Sequence, residues 1–508
     1  SSAAADYALY LYCKKRGQNM EFSEFRDWKT VGKLNDDIAL FGKVFRNDDI
    51  FCIRRAASAD GRWRLALLFF DGMVDNDLVD RHLLHPILRF SPRDAAPDLA
   101  FLAEQLVTTD TAEVTPDFPA AVDRLLHGDT LILLDGDARI LCASTKGYAR
   151  RGIEEPDGER LVRGPKEGFT ESLVTNTALL RRKLLSPDLK LVTMQPSARS
   201  RQRLCVAYLD TLVNRAALQK LMNRLKDVRF DLLLDTHYIE ETISDYRWTP
   251  FKTIGSTEKP DIAAAKLMEG KILLLLDGTP VVSVLPFLFI EYFQSGDDYY
   301  TGFYFGSIGR LLRIAGFLLT VTLPAAYQAM ITYHQEIIPT KFLISIASAR
   351  TGVPFPTFLE LLLMLFAFEI LREAGSMMPG SVGQALSTVG AVVIGQAAVD
   401  ARIVSAPLVI VVAMTGLCGM MTPKLKSAVI VLRLFLLAFS GVLGLFGVIF
   451  GATLVAALLF SMNSFGIPYM SYVGTMKLSD LRDTAIRAPI WKLRYRPKKG
   501  MTEDYIRE

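Results

Sequence analysis

Cysteine, histidine and recognisable catalytic motifs are all scarce in this chain of 508 residues. It has five histidines and five cysteines, and the cysteines form no CxxC pair and follow no regular spacing: Cys13, Cys52, Cys142, Cys205 and Cys418. This pattern argues against a disulfide scaffold and against a zinc site. No HExxH, GxSxG or GxxxxGK(S/T) motif occurs, so we expect a protein that is not an enzyme and that has no metal or cofactor.

Charge is also scarce over one long stretch. Between Thr301 and Met476 only 14 of 176 residues are charged, about 8%, against 22% for the whole chain. Parts of this stretch are long and apolar enough to cross a bilayer. The net charge of +4 gives no sign of nucleic-acid binding. We therefore predict a helical membrane domain that contacts lipid, preceded by a soluble region.

The apolar stretch divides into segments that we interpret as membrane spans. The segments are Ile308–Ile331, Phe358–Leu371, Val382–Val399, Ile403–Met421 and Ser427–Met462. The last would be about 54 Å long as one helix, whereas the hydrocarbon layer is about 30 Å thick. It must therefore kink, protrude or fold back, and a series of glycines marks the place: Gly441, Gly444, Gly447 and Gly451. Between the first two spans, Lys341–Arg350 has an amphipathic pattern.

The two ends of the chain predict its orientation. Residues 492–499 carry five basic side chains beside Trp491, a pattern typical of a cytosolic anchor. The segment from Ser1 to Lys15 is polar and lacks the pattern of a signal peptide, so we expect the front half to stay in the cytosol. With both ends on one side the number of spans is even. We favour six, or four if 427–462 does not form a hairpin.

The soluble region contains an internal repeat. Arg64–Asp71 is matched by Arg203–Asp210, and Gly128–Gly136 is matched by Gly270–Gly278. The first pair reads as an apolar strand followed by a capped helix start, and the second as a strand with an Asp-Gly turn. The second copy follows the first at nearly the same distance in both pairs, which indicates duplication. Coincidence between generic strand and turn patterns is the alternative.

These observations predict a fold class and four regions. The fold class is an α/β soluble region of two duplicated subdomains followed by an all-α polytopic membrane domain. The regions are 1–155, the first subdomain with an N-terminal extension; 156–300, the second subdomain with an interfacial bridge; 301–476, the transmembrane domain; and 477–508, a basic cytosolic tail. The repeat assigns Leu273–Val284 to the second subdomain, so we expect membrane entry near Ile308, with Pro286–Tyr300 as the bridge.

Polar residues inside the spans are the candidate functional residues, because charge is costly in a bilayer and is usually retained for a purpose. Glu369 precedes Arg372 by three residues and Glu373 by four, so the three share a helix face; a structural ion pair and an ion pathway are the two interpretations. Glu360 lies on the opposite face, and we expect it to serve an ion pathway or an interhelical contact. The uncharged candidates for interhelical bonds or pore lining are Gln384 and Gln396.

Small residues recur at intervals of four in the third span, at Gly383, Ser387, Ala391 and Gly395. Such a face allows helices to approach closely. It fits packing within one chain, or alternatively a subunit interface or a pore wall.

Several ordered motifs carry a resemblance that extends from about residue 60 to 497. In the soluble half they are Arg151-Gly-Ile-Glu-Glu-Pro, Val162-Arg-Gly-Pro-Lys-Glu-Gly-Phe, Glu258-Lys-Pro-Asp-Ile and Phe293-Gln-Ser-Gly-Asp-Asp-Tyr-Tyr. In the apolar half they are His334-Gln-Glu-Ile-Ile-Pro, Gly352-Val-Pro-Phe-Pro, Phe368-Glu-Ile-Leu-Arg-Glu-Ala-Gly, Val393-Ile-Gly-Gln and Ser464-Phe-Gly-Ile-Pro-Tyr. Together they resemble the GerA family of spore germination proteins, the A subunits of germinant receptors.

The resemblance implies a subunit of the spore inner membrane that acts with a transporter-like B subunit and a lipoprotein C subunit. It also implies a homo-oligomer that forms a germinant-gated channel for monovalent cations. An ion-release amplifier similar to the stage V sporulation protein AF is one alternative, and a non-conducting scaffold or sensor is another. No catalytic or pore residue comes with the resemblance.

Overall fold

The computed structural model describes residues 25, 27–91, 96–147, 159, 163–196, 199–378, 390, 393–471, 483–489 and 491. Its first half contains two five-stranded antiparallel sheets, and its second half is helical. The predicted fold class is therefore confirmed.

The first sheet is built from β1 (Phe51–Ala57), β2 (Arg64–Phe70), β3 (Ala112–Thr115), β4 (Thr130–Leu134) and β5 (Ile140–Ala143). Its helices are α1 (Leu34–Val44) and α2 (Phe118–Leu126). Short helical turns fill the connections: Asn76–Leu78, Val79–Leu84, His85–Arg89, Leu99–Phe101 and Leu102–Leu106. The strand order is β1-β2-β4-β5-β3.

The second sheet is built from β6 (Leu189–Met194), β7 (Leu204–Leu209), β8 (Gly255–Thr257), β9 (Ile272–Leu276) and β10 (Val282–Leu285). Its helices are α3 (Leu173–Lys183), α4 (Arg215–Asp227), α5 (Thr236–Ile243) and α6 (Pro260–Met268). The strand order β6-β7-β9-β10-β8 repeats that of the first sheet. Duplication is therefore confirmed, and the stretch from Leu273 to Val284 forms strands rather than a span.

Matched polar residues set the ends of helices in both repeats. Asp75 and Asn214 occupy equivalent positions of the two copies and cap the helix that follows β2 and β7, respectively. The Asp-Gly turns do more than join strands: Asp135 accepts the Leu34 N–H at the start of α1 (3.2 Å), and Asp277 accepts the Leu173 N–H at the start of α3 (3.0 Å). The repeat therefore includes α1 and α3, which the sequence comparison did not show.

The two subdomains share a core. Alternate residues of β2 face opposite sides, so that Ala66 and Leu68 join a cluster which continues to Cys205 and Ala207 of β7. The helices α1, α2, α3 and α6 contribute to this same cluster. A fully buried ion pair between Arg181 of α3 and Asp48 also joins the repeats. The two subdomains of the soluble half are thus packed together through a common core.

The membrane half contains α7 (Phe303–Thr332), α8 (Thr340–Ala349), α9 (Thr357–Met377), α10 (Ala406–Gly419) and α11 (Lys426–Ser461). Residues 393–400 are also helical. Shorter elements connect these helices: Phe289–Phe293, Asp297–Tyr300, Gln335–Ile337, Pro423–Leu425, and the strands β11 (Asn463–Ser464) and β12 (Ile467–Pro468). In the described part of the chain, Phe303–Thr332 and Pro423–Ser461 are long and apolar enough to cross a membrane.

Some helix bounds differ from the predicted spans. Helix α7 begins five residues before Ile308, and α9 continues six residues beyond Leu371. In the α9 extension Arg372 and Glu373 are accommodated by ion pairs, and in the α7 extension the Ser307 hydroxyl is hydrogen-bonded to the backbone of Arg487; a count of apolar residues anticipates neither. Much of the predicted span from Val382 to Val399 lies outside the described residues.

Helix α11 folds back on itself at Gly444, whose φ of 62° and ψ of −140° interrupt the helix. A Cβ added at Gly451 would lie 2.7 Å from Leu436 Cδ2. In a straight helix those residues would be about 22 Å apart. Of the three outcomes expected for this segment, the structure therefore has the fold-back.

Contacts show that successive helices run away from the soluble half and return to it. Helix α7 ends at the tip of the α11 hairpin, where the Tyr333 hydroxyl donates to Gly441 O. Helices α9 and α10 begin together on this far side and run back towards the soluble half. For α9 this direction is shown by Glu373, near its end, which lies 3.0 Å from Lys426 Nζ at the start of α11. Just before α11, Lys424 Nζ donates to Ser256 O of β8 at 3.3 Å.

Candidate functional site

Glu360 is fully buried near the start of α9. Arg350 Nη2 donates to one carboxylate oxygen at 3.1 Å, and the backbone N–H and hydroxyl of Ser405 both donate to the other at 3.1 Å. Ser405 immediately precedes α10, so the carboxylate sits at a helix N-terminus, where negative charge is favoured. These contacts support the interhelical interpretation of Glu360: it fastens α9 to α10 and to the segment after α8.

Glu369 joins α9 to α11. It pairs with Arg372 of the same helix and accepts from Arg433 Nη2 of α11 at 2.5 Å. Arg433 is only 2% exposed. Glu373, which we expected to share this local pair, instead reaches across to Lys426. The difference arises because the first leg of α11 packs along α9 and places its basic residues Lys426 and Arg433 beside the α9 carboxylates.

Gln396 lies on the helical segment 393–400 and is exposed, as are its neighbours Val393 and Ile394. On the other face Gly395 is buried, and a Cβ there would lie 3.3 Å from Val409 Cγ1 of α10. Gly395 therefore packs within the chain, whereas no described part of the chain covers the face that carries Gln396. The remaining predicted residues of this span lie outside the described part of the chain: Gly383, Gln384, Ser387 and Ala391.

Sequence reasoning missed the arginine partners of these carboxylates. Arg350 and Arg433 were counted as charges but not as site residues. A signal was available for Arg433, because one basic residue within the apolar run 427–462 is costly unless it has a partner. No such signal singled out Arg350, which lies at the end of a polar connection.

The start of α7 is held by a group that we call the α7 junction, formed by Asp298, Arg310, Arg313 and Asp483. Asp298 accepts from Arg310 Nε at 2.9 Å and from Arg313 Nη2 at 2.8 Å. Arg310 Nη1 also donates to Asp483 Oδ1 at 3.0 Å. Burial alone would raise the pKa of Asp298, but the hydrogen bonds from both arginines lower it below its ordinary value. The C-terminal segment is thus tied to the first membrane helix.

A second buried group, the bridge cluster, consists of Lys266, Glu269, Lys271 and Glu291. Lys271 pairs with Glu291, and Lys266 Nζ lies 3.1 Å from the same carboxylate. Although burial raises the pKa of Glu291, its attraction to Lys266 and Lys271 outweighs burial and lowers that pKa to about 2. Because Glu291 belongs to the turn Phe289–Phe293, the cluster fastens the interfacial bridge to the second sheet.

The β11–β12 hairpin follows the last membrane helix, α11, and fastens its end to the soluble half. The Ser464 hydroxyl donates to Thr253 O at 2.7 Å, and the Phe465 N–H donates to Asp245 Oδ2 at 2.7 Å. Both acceptors belong to the second subdomain. The returning leg of α11 therefore ends in a clamp on the soluble half. Together with the α7 junction and the bridge cluster, it connects the first and last membrane helices to one soluble body.

The three groups connect elements of the bundle to the soluble half through ion pairs and hydrogen bonds. Among the described residues, no group of three or more His, Cys, Asp or Glu is placed to hold a metal ion. The charged groups instead neutralise one another across element boundaries.

Comparison with known proteins gives consistent matches. The family model described as "Bacillus/Clostridium GerA spore germination protein" matches residues 39–499. Spore germination protein KA of Bacillus subtilis (strain 168) is 36% identical over 94% of this chain and 86% of its own length. Spore germination protein GerLA of Bacillus cereus is 33% identical over 89% of this chain and 92% of its own.

Among solved structures, the chain is similar to the N-terminal domain of the A subunit of the Bacillus megaterium spore germinant receptor GerK3. The identity is 28%, the TM-score is 0.42, and the match covers 52% of this chain and 98% of that domain.

Proposed function

Because the chain belongs to the GerA family of spore germination proteins, we propose that it is the A subunit of a nutrient germinant receptor in the spore inner membrane. In this proposal it works with a transporter-like B subunit and a lipoprotein C subunit. Copies of the chain assemble into a germinant-gated channel for monovalent cations.

The proposed topology has six membrane crossings, with both termini on the cytosolic (core) side. The alternating directions of α7, α9, α10 and the two legs of α11 support it, with 393–400 as part of the third crossing. The contact of Asp483 with Arg310 supports placing the C-terminal segment on the side of the soluble half. Regions 1–155, 156–300, 301–476 and 477–508 remain the proposed domain boundaries.

The uncovered face with Gln396 carries the channel proposal. The carboxylates of α9 are engaged by arginine or lysine within one chain, so none is left as a bare ligand for ions. A polar amide that is exposed beside Val393 and Ile394 is costly against lipid. We infer that this face meets neighbouring copies of the chain and lines water between them.

A cysteine-accessibility experiment tests the proposed pore face. In a background in which the five native cysteines are replaced, Gln396→Cys is predicted to react with a charged, membrane-impermeant thiol reagent and to reduce ion flux on reaction. Phe366→Cys in α9 is the matched control, because Phe366 is 67% exposed on the outside of the bundle and is itself apolar. Equal inertness of both positions in a conducting oligomer would contradict the assignment.

A non-conducting scaffold is the second candidate, and the pairing of the intramembrane charges favours it. Structural ion pairs stiffen the bundle and occupy every carboxylate of α9, as expected of a bundle that connects elements without conducting. The two candidates differ in one property: an oligomer in bilayers that passes no ions under any germinant condition is a scaffold.

A further inference from the structure

Exposed tyrosine and tryptophan side chains are unevenly distributed in this protein. Of those that are substantially exposed in the described part of the chain, one lies elsewhere (Tyr238) and five lie at the ends of apolar helices: Trp248, Tyr299, Tyr304, Tyr333 and Trp491. Such amphipathic rings are favoured at the level of lipid headgroups. The distribution therefore marks two levels on the molecule.

The spacing of the two levels matches a bilayer. Tyr304 and Tyr333 stand at opposite ends of α7, and the helix between them is about 44 Å long. A bilayer with its headgroup regions is about 40–45 Å thick. The exposed side chains between the two tyrosines are mainly aliphatic, such as Leu311 and Leu318.

Trp248 is the unexpected member, because it belongs to the soluble half. It is 99% exposed, whereas Trp63 in the first subdomain is 3% exposed. The position of its loop is set by Tyr246, whose hydroxyl donates to Ser461 O at 3.1 Å. Ser461 is the last residue of α11, so Trp248 lies where a membrane helix ends.

Trp491 occupies the same level, beside the start of α7. Its ring lies 6.0 Å from that of Phe303, the first residue of α7, and it is 68% exposed. The two exposed tryptophans thus stand beside the ends of α7 and α11 that face the soluble half. Arg247, which is exposed next to Trp248, adds a positive charge suited to anionic headgroups.

We propose that the loop 246–250 of the second soluble subdomain is a lipid-binding anchor, which inserts Trp248 into the headgroup layer of the cytosolic leaflet. The inference rests on the proposed embedding of α7–α11 in a membrane. It adds that the soluble half is held against the bilayer by its own contact with lipid, at the β11–β12 clamp, rather than only through the membrane helices. A protein partner on Trp248 is the competing occupant, but the bond between Tyr246 and the last residue of α11 places the loop at lipid depth.

Fluorescence in reconstituted vesicles tests the anchor. The full chain is prepared with Trp248 as its single tryptophan, using Trp28→Phe, Trp63→Phe and Trp491→Phe, in vesicles of neutral and anionic phospholipid. Emission is then compared in lipids brominated near the headgroup, in lipids brominated near the chain ends, and with aqueous acrylamide. We expect the largest loss of emission with the shallow bromines and partial protection from acrylamide.

Two further single-tryptophan variants make every outcome informative. A variant retaining only Trp63 is expected to lose no emission to either lipid. A variant carrying Phe366→Trp reports on embedding of the bundle, and we expect it to be quenched by bromines in the lipid. If Phe366→Trp is quenched but Trp248 is not, the anchor is wrong while membrane embedding stands. If neither is quenched, the embedding and the anchor both fail. If Trp248 resists both lipid bromines and acrylamide, protein covers it and the anchor is overturned.

Discussion

Loss of the Glu369 carboxylate should destabilise the bundle far more than loss of the nearby Glu373 carboxylate. Glu369 neutralises Arg433, which is 2% exposed, and Arg372 beside it. Glu369→Gln would leave a buried guanidinium uncompensated, and breaking one side of a buried pair costs about 3–5 kcal/mol. We place the expected cost near the lower limit, about 3 kcal/mol, because the Glu369 side chain retains 21% exposure and water can reach one edge of the pair.

Glu373→Gln is the matched control on the same helix. Glu373 pairs with Lys426, and the two side chains are 57% and 41% exposed. Exposed ion pairs contribute about 0–1 kcal/mol. The difference between the two variants should therefore be about 2–3 kcal/mol, which is a factor of roughly 30–150 in the folded-to-unfolded ratio.

A double-mutant cycle with Arg433→Leu separates the pair from general damage to the bundle. Arg433→Leu leaves Glu369 with Arg372, so it should cost less than Glu369→Gln. The combined variant should be more stable than the sum of the single changes predicts, with a coupling of about 1–3 kcal/mol. Unfolding of the purified protein in mixed micelles, followed as denaturing detergent is added, measures each value. The structural account of Glu369 fails if Glu369→Gln unfolds like Glu373→Gln, or if the cycle is additive.

Three further predictions concern the connections between elements. Gly444→Ala should weaken the α11 hairpin by about 1–3 kcal/mol, because φ is positive there and the new Cβ would lie 2.9 Å from Tyr333 Cβ. Gly302→Ala serves as the control, since its Cβ would meet nothing within 4 Å. Equal stability of the two variants in detergent would contradict the fold-back. The pKa of Glu291 is lowered to about 2 from 4.5, so its carboxylate stabilises the fold above its unfolded-state pKa, and this contribution is lost as pH falls from about 4.5 towards about 2. The midpoint of thermal unfolding should therefore fall more steeply over that window in the unmodified protein than in Glu291→Gln. Parallel curves would count against the bridge cluster. Arg310→Gln should release the C-terminal segment, because Arg310 holds Asp483 and Thr484; the release would be seen as faster proteolysis near Asp483, whereas unchanged cleavage would show that the α7 junction does not hold it.

The soluble fold could be predicted largely from local patterns. The repeat predicted matched strands, each followed by a capped helix start, and the structure shows that the caps are Asp75 and Asn214. Asp-Gly turns are read locally, because glycine permits the positive φ that they require, and Gly136 and Gly278 have φ values of 98° and 100°. The order of strands was not predicted, since it depends on long-range pairing that no local pattern encodes.

The candidate residues of the bundle illustrate the limit of sequence reasoning. Helical spacing correctly placed Glu369 beside Arg372, because residues three apart share a face. It could not show that Arg433, far along the chain, completes the pair, since that contact exists only once the first leg of α11 packs against α9. The same holds for Asp298 and Asp483, which meet at Arg310 although most of the membrane half separates them in sequence.

Ion flux through a defined receptor tests the central proposal most directly. Potassium-loaded vesicles would hold this chain together with its B and C subunits, and efflux would be followed after nutrient is added. The proposal predicts nutrient-dependent efflux that requires this chain and that falls when Gln396→Cys is modified by the impermeant thiol reagent. An assembled receptor that binds nutrient but releases no potassium would contradict the channel and leave the scaffold as the function of this subunit.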